Sequence, residues 1–139
     1  MASSVFLDAN FLLDFTLQRI GFPAAKEIIS LGINGDIQLC TTPSVLHITA
    51  YWLAKTFQNK KAKTITLSLL NDVRIIDCTH DTALLAVNSA MEDIEDALQY
   101  YAALAHGADY FISSDRKLQK AAIPQLPVLT PQEFLDELK

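Results

Sequence analysis

Glycine is scarce in this chain, with four residues in 139. Neither GxGxxG nor GxxxxGK[ST] occurs, so no Gly-rich loop can wrap nucleotide phosphates in backbone N–H groups. Cysteine is scarcer still. Cys40 and Cys78 form no CxxC pair, which argues against a disulfide framework and a zinc site and leaves both expected as buried thiols acting as small hydrophobes. No apolar stretch approaches the ~18 residues of a membrane span, and the N-terminus lacks the basic start and apolar segment of a signal peptide. A cytoplasmic protein with no membrane contact is the expectation. Basic charge is short as well: 11 Lys and Arg face 16 Asp and Glu, a net charge of −5. That balance opposes nucleic-acid binding by bulk electrostatics, unless the acids are gathered to hold cations. No GxSxG nucleophile setting is present, and His80 and His106 have no partner spacing.

Apolar residues are abundant. Half of the chain is hydrophobic and the mean hydropathy is +0.21, which excludes disorder. Its length suits a single domain over residues 1–139. Val5-Phe6-Leu7 is a short apolar run closed by Asp8, as expected of a strand buried on both faces. Phe11, Leu12, Phe15 and Leu17 then recur at near-helical spacing up to Gly21. Pro23 suits a first helical turn, with Gly32 and Gly35 punctuating the end of that helix. Ile37–Cys40 predicts a second strand, Pro43 a helix through Leu53, and Lys60–Asn71 another. Val73–Asp77 and Tyr110–Ser113 predict two more strands, and Pro127–Leu129 an edge strand. Thr79, Asp93 and the Thr130-Pro131-Gln132-Glu133 capping box mark helix starts, while Gly107 marks a stop. Strands alternating with helices imply an α/β three-layer sandwich on a mostly parallel sheet of about four to five strands.

Ligand sites in such sheets form beyond the carboxyl ends of the strands, and carboxylates sit there. Asp8 ends the first strand and Asp115 follows the fourth. Asp93 and Asp96, three apart, share one face of a helix start, and Glu92 and Glu95 make four acids in five positions. So much like charge calls for solvent or a hard cation such as Mg²⁺, which takes carboxylates and waters and can assist phosphodiester hydrolysis. The bland roles stand beside this one. Asp93 and Asp115 suit N-caps, Asp96 suits the helix dipole, and Asp77 also closes a predicted strand.

Val5-Phe6-Leu7-Asp8-Ala9-Asn10-Phe11-Leu12-Leu13-Asp14 resembles the opening of a PIN domain. Ile94-Glu95-Asp96-Ala97-Leu98-Gln99-Tyr100-Tyr101, Asp109-Tyr110-Phe111-Ile112-Ser113-Ser114-Asp115 and Val128-Leu129-Thr130-Pro131-Gln132-Glu133-Phe134-Leu135 resemble its C-terminal half. The resemblance, in order along nearly the whole chain, is to the VapC-like toxin ribonucleases of toxin–antitoxin pairs. It implies a Mg²⁺- or Mn²⁺-dependent ribonuclease whose metal is held by Asp8, Asp96 and Asp115. Asp93 would be an auxiliary acid, Asn10 would orient Asp8, and the partners would be RNA, an antitoxin and a second copy in a homodimer. The chain departs from the pattern at the helix after the second strand. Where the family usually has a glutamate, it reads Ser44-Val45-Leu46-His47-Ile48-Thr49-Ala50, and no acid lies between Asp36 and Asp72. A catalytically weakened module that binds RNA or protein is therefore the alternative, with His47 a weak substitute ligand. A Mg²⁺-dependent phosphohydrolase or receiver-like domain would also place acids at strand ends. Asp8-Ala9-Asn10 lacks the paired second aspartate, and no late lysine fits.

Arg116 and Lys117 stand beside Asp115 and suit a substrate phosphate. Lys55, Lys60, Lys61 and Lys63 form a basic cluster that reads as a solvated face or an RNA contact. Tyr51, Trp52 and Phe57, at helical spacing, are expected in the core or a dimer contact rather than stacked on bases.

Overall fold

The structure, a computed structural model, describes residues 2–139. The elements run β1 (Ser3–Leu7), α1 (Ala9–Thr16), α2 (Phe22–Ile33), β2 (Ile37–Thr41), α3 (Pro43–Leu70) and β3 (Val73–Ile75). They continue with α4 (His80–Asn88), α5 (Ile94–His106), β4 (Tyr110–Ile112), α6 (Arg116–Ala121), β5 (Val128–Leu129) and α7 (Pro131–Glu137). All strands are parallel, in the order β3-β2-β1-β4-β5. By the right-handed rule for parallel crossovers this order puts α1, α2 and α3 on one face and α4 and α5 on the other, and the packing of α1 on α2 and α3, and of α4 on α5, agrees with it. α7 packs back on α2. The expected sandwich is present, with five strands and no antiparallel member.

Phe6 and Phe111 are neighbours across β1 and β4 and stack at 4.6 Å between ring centroids; Tyr100 of α5 lies 5.8 Å from Phe111. The buried Tyr100 hydroxyl donates to the Leu126 carbonyl at 2.6 Å and accepts from the Ile123 N–H at 2.9 Å. Val5 and Leu7 point to the opposite face, as strand alternation requires, and are fully buried too. One continuous core thus spans both faces of the sheet. Its central strand, β1, emerges at the position that carries Asp8.

Several sequence expectations need correcting. Cys40 is buried and its thiol is pushed up to about 11 by desolvation, but Cys78 is exposed, because β3 has ended before it. The last rung of that edge is the Ile76 N–H donating to the Thr41 carbonyl at 2.8 Å, so Asp77 lies outside the strand and is exposed. Gly32 does not end α2. It lies within the helix, where a Cβ would run into Leu39 Cδ1, and Gly35, at φ +82°, makes the turn instead. The two helices expected after Pro43 are both present: α3 is two helices that meet at a kink at Gln58, whose φ of 70° and ψ of 168° are non-helical. Tyr51 and Trp52 are half-exposed on α3, not core.

Candidate functional site

The sheet order reverses at β1, which has β2 on one side and β4 on the other. At such a switch point the loops leaving two adjacent strands diverge to opposite faces and open a crevice. Asp8 and Asp115 both lie at it. Asp8, one residue past β1, has extended φ and ψ and caps α1, its carboxylate accepting the Phe11 N–H at 2.8 Å. Ser113, one residue past β4, is 2% exposed; its hydroxyl accepts the Asp115 N–H at 3.1 Å, and it lines the same hollow as Asp8. Asp115 in turn caps α6, accepting from the Lys117 N–H at 2.9 Å and the Leu118 N–H at 3.3 Å.

Asp93 and Asp96 come from the start of α5. Asp93 is the N-cap, accepting the Asp96 N–H at 2.9 Å. Capping and a role in the site are thus compatible, because one carboxylate oxygen meets the backbone while the other is free. Burial pushes the Asp8 carboxyl up to about 6, and the charges of Asp14 and Asp115 add to the effect against the hydrogen bond from Phe11. Asp96 is also pushed up to about 6, by burial first and then by the charges of Asp93, Asp115, Glu95 and Asp8. Asp8, Asp96 and Asp115 therefore lie within reach of one another's fields, though residues 8 and 115 are separated by most of the chain.

Asp115 forms the wall between two hollows. One, of 420 Å³, holds Asp8, Asn10, Asp14, Arg19, Ser113, Ser114 and Asp115. The other holds Glu92, Asp93, Asp96 and Asp115 beside Arg116, Lys117 and Lys120. The predicted phosphate contacts Arg116 and Lys117 are exposed on the rim of the acidic cluster. Asn10 lies in the first hollow, but the Asp8 oxygen accepts from the Phe11 backbone, and the Asn10 carbonyl accepts from Arg19 at 3.2 Å. The hydrogen bond that holds the Asp8 carboxylate comes from the Phe11 N–H, and the Asn10 side chain makes none to it.

The donor set is one a hard divalent cation prefers, since every candidate ligand is a carboxylate or hydroxyl oxygen. Two carboxyls held above their usual range by burial and mutual repulsion are groups that a cation would relieve. The residues fit such an ion by chemistry. Among the described residues, however, no group of three or more His, Cys, Asp or Glu side chains forms a ready cage. α3 adds no acid near its start, and His47 is exposed there. Three polar residues of the site were not found from sequence: Ser113, Asp14 and Arg19. Ser113 was readable as the polar residue closing the fourth apolar strand. Asp14 is four residues after Asn10 and so shares its helix face. Arg19 gave no signal, because its loop conformation depends on Gln18 at φ 51°.

The fold has solved counterparts. VapBC2 of Rickettsia felis, in a structure bound to a promoter DNA fragment, matches with a TM-score of 0.67 and 16% identity over 90% of this chain and 96% of that one. VapC20 of Mycobacterium tuberculosis, a toxin that cleaves the sarcin–ricin loop, gives 0.67 and 18% over 87% and 97%. The Pyrobaculum aerophilum protein PAE2754 gives 0.65 and 17% over 99% and 98%. No curated protein matches in sequence. The PIN domain model, however, matches residues 4–117, from β1 to the first turn of α6, and so takes in Asp8, Asp93, Asp96 and Asp115; the chain belongs to the PIN domain family.

Proposed function

We propose that this protein is a Mg²⁺- or Mn²⁺-dependent ribonuclease, the toxin of a toxin–antitoxin pair, and that residues 1–139 work as one domain. The observation that supports the reading is that Asp8 and Asp115 line one hollow and Asp96 and Asp115 the next, with the Asp8 and Asp96 carboxyls pushed up to about 6. Those three would hold the ion, which supplies charge stabilisation to a phosphoryl oxygen when bound. The Phe11 N–H holds the Asp8 carboxyl, and the α5 and α6 caps hold Asp93 and Asp115, so these carboxylates are in place before any ion arrives. Arg116 and Lys117 sit where an RNA phosphate would approach Asp115. The VapBC2 structure supports an antitoxin as partner. A homodimer draws support from Leu84, Leu85 and Val87, all more than half exposed on α4, and sedimentation measures it.

Calorimetric titration with Mn²⁺ should show binding to the wild type and none to Asp8→Asn. A pool of structured RNAs should be cut with Mg²⁺ or Mn²⁺ but not with EDTA. Asp8→Asn, Asp96→Asn and Asp115→Asn should each slow cleavage at least about 100-fold. A second reading is favoured by one observation, the lack of any acid on α3. In that reading the chain is a silent module that binds RNA or protein, and metal binding without RNA cleavage would establish it. Turnover of phosphomonoesters alone would reject both.

A further inference from the structure

We propose that Arg19, in the loop between α1 and α2, is a built phosphate anchor on the wall of the crevice facing Asp8 and Asp115, and that it takes a backbone phosphate of the RNA strand. The proposal rests on the ribonuclease reading and adds a substrate contact to it. Arg19 lines the same hollow as Asp8, Ser113, Ser114 and Asp115. It is not a loose surface side chain. Its Nε donates to Asp14 Oδ1 at 2.8 Å and its Nη2 to the Asn10 carbonyl at 3.2 Å. A guanidinium has five N–H donors, so these two bonds fix the plane of the fork and leave three donors free, while the group is 42% exposed. A planar fork already held in place loses little freedom on taking a phosphate.

The backbone is shaped for the same end. Gln18 adopts φ 51°, a left-handed conformation that costs a non-glycine residue energy. The Arg19 N–H donates to the Asp14 carbonyl at 3.1 Å, closing the loop on α1. At Gly21 a Cβ would meet Asp14 Oδ2, so the absence of a side chain lets the loop lie against the carboxylate that holds Arg19 without displacing it. Asp14 also raises the cost of ionising Asp8. An acid at that place is tolerable because Arg19 neutralises it. In a chain of net charge −5, a fixed cation inside the acidic crevice gives a polyanion a point of attachment on its far wall. Arg116 and Lys117 supply the opposite rim.

The test uses a labelled RNA hairpin with a single-stranded loop, its binding followed by fluorescence anisotropy with Mg²⁺ in an Asp96→Asn background, so that the strand is not cut. Arg19→Gln should weaken binding about fivefold or more and lower the slope of log K against log salt by about 0.7, the loss of one phosphate contact. Lys26→Gln, an equal change in charge on α2 outside the crevice, should change neither. Arg19→Lys should recover the salt slope but only part of the affinity, since a point charge replaces the fork. Equal affinity and slope for Arg19→Gln and its parent would overturn this proposal while leaving the ribonuclease reading intact. An equal loss with Lys26→Gln would reduce Arg19 to bulk charge and overturn it too. No RNA binding by the parent would overturn both.

Discussion

Asp8 serves two ends that conflict. As the cap of α1 it satisfies the Phe11 N–H, while as a carboxylate among carboxylates it resists ionising. Its ordinary value of 3.8 becomes about 6 in the fold, so the folded state holds the proton more tightly than the unfolded one. The resulting contribution to stability is full below pH ~4, fades as pH rises through 4 to 6, and is gone above that. Asparagine caps as well as aspartate and does not ionise. Asp8→Asn should therefore stabilise the metal-free protein at pH 7 by about 1 kcal/mol, well under the full value of the shift because solvent reaches the group. The gain in Tm should vanish near pH 4, which a pH series of thermal melts will show. Ser113→Ala should act in the other direction. It strips a partner from the Asp115 N–H, at about 1 kcal/mol by denaturant titration. With the start of the Asp115 loop released, it should also weaken Mn²⁺ binding in calorimetry.

At the level of elements, the helix starts were the most legible part of the sequence. Thr42, Thr79, Asp93, Asp115 and Thr130 each place a side-chain oxygen on an N–H of the first turn. That is local chemistry, readable in three or four residues. The break in α3 was legible only as a gap between two apolar patterns, because glutamine carries no turn signal. Gln58 has φ 70° and ψ 168°, a region that nearly only glycine occupies. Gln58→Gly should relieve strain and stabilise the fold by about 1 kcal/mol in chemical denaturation, against the usual cost of glycine in helices. Strand ends misled for the opposite reason. Nothing in Val73-Arg74-Ile75-Ile76-Asp77 says where its neighbour stops, and β3 ends when β2 runs out of partners at Thr41. Asp77 and Cys78 were misjudged because pairing is a property of two strands, not one.

For the molecule as a whole, alternation of strands and helices carried the layer architecture, and right-handed connections then allow few topologies. The places of Asp8 and Asp115 beside one hollow follow from the ends of two adjacent parallel strands, and that of Asp96 beside the next follows from the start of α5. The Asp14–Arg19 bridge was not, since a five-residue loop has no periodicity to read. Ion binding should be visible in the stability of the entire protein. Mg²⁺ stabilises the folded state by mass action, and its ligands must lose their protons first. Millimolar Mg²⁺ should raise Tm at pH 7.5 and lose most of that effect at pH 5, below the values near 6 of Asp8 and Asp96. Differential scanning calorimetry with and without the ion decides it.

The central strand has a temporal consequence. β1 leaves the ribosome well before β4, yet its Ser4 N–H awaits an acceptor on Asp109, 105 residues later. β4 can take its place only after the residues between them have been made, and synthesis proceeds at roughly 5–20 residues per second. For several seconds, then, a nascent copy exposes Asp8 with no second strand end beside it. Whatever chemistry the finished crevice performs is closed to the growing chain until β4 has emerged and taken its place beside β1.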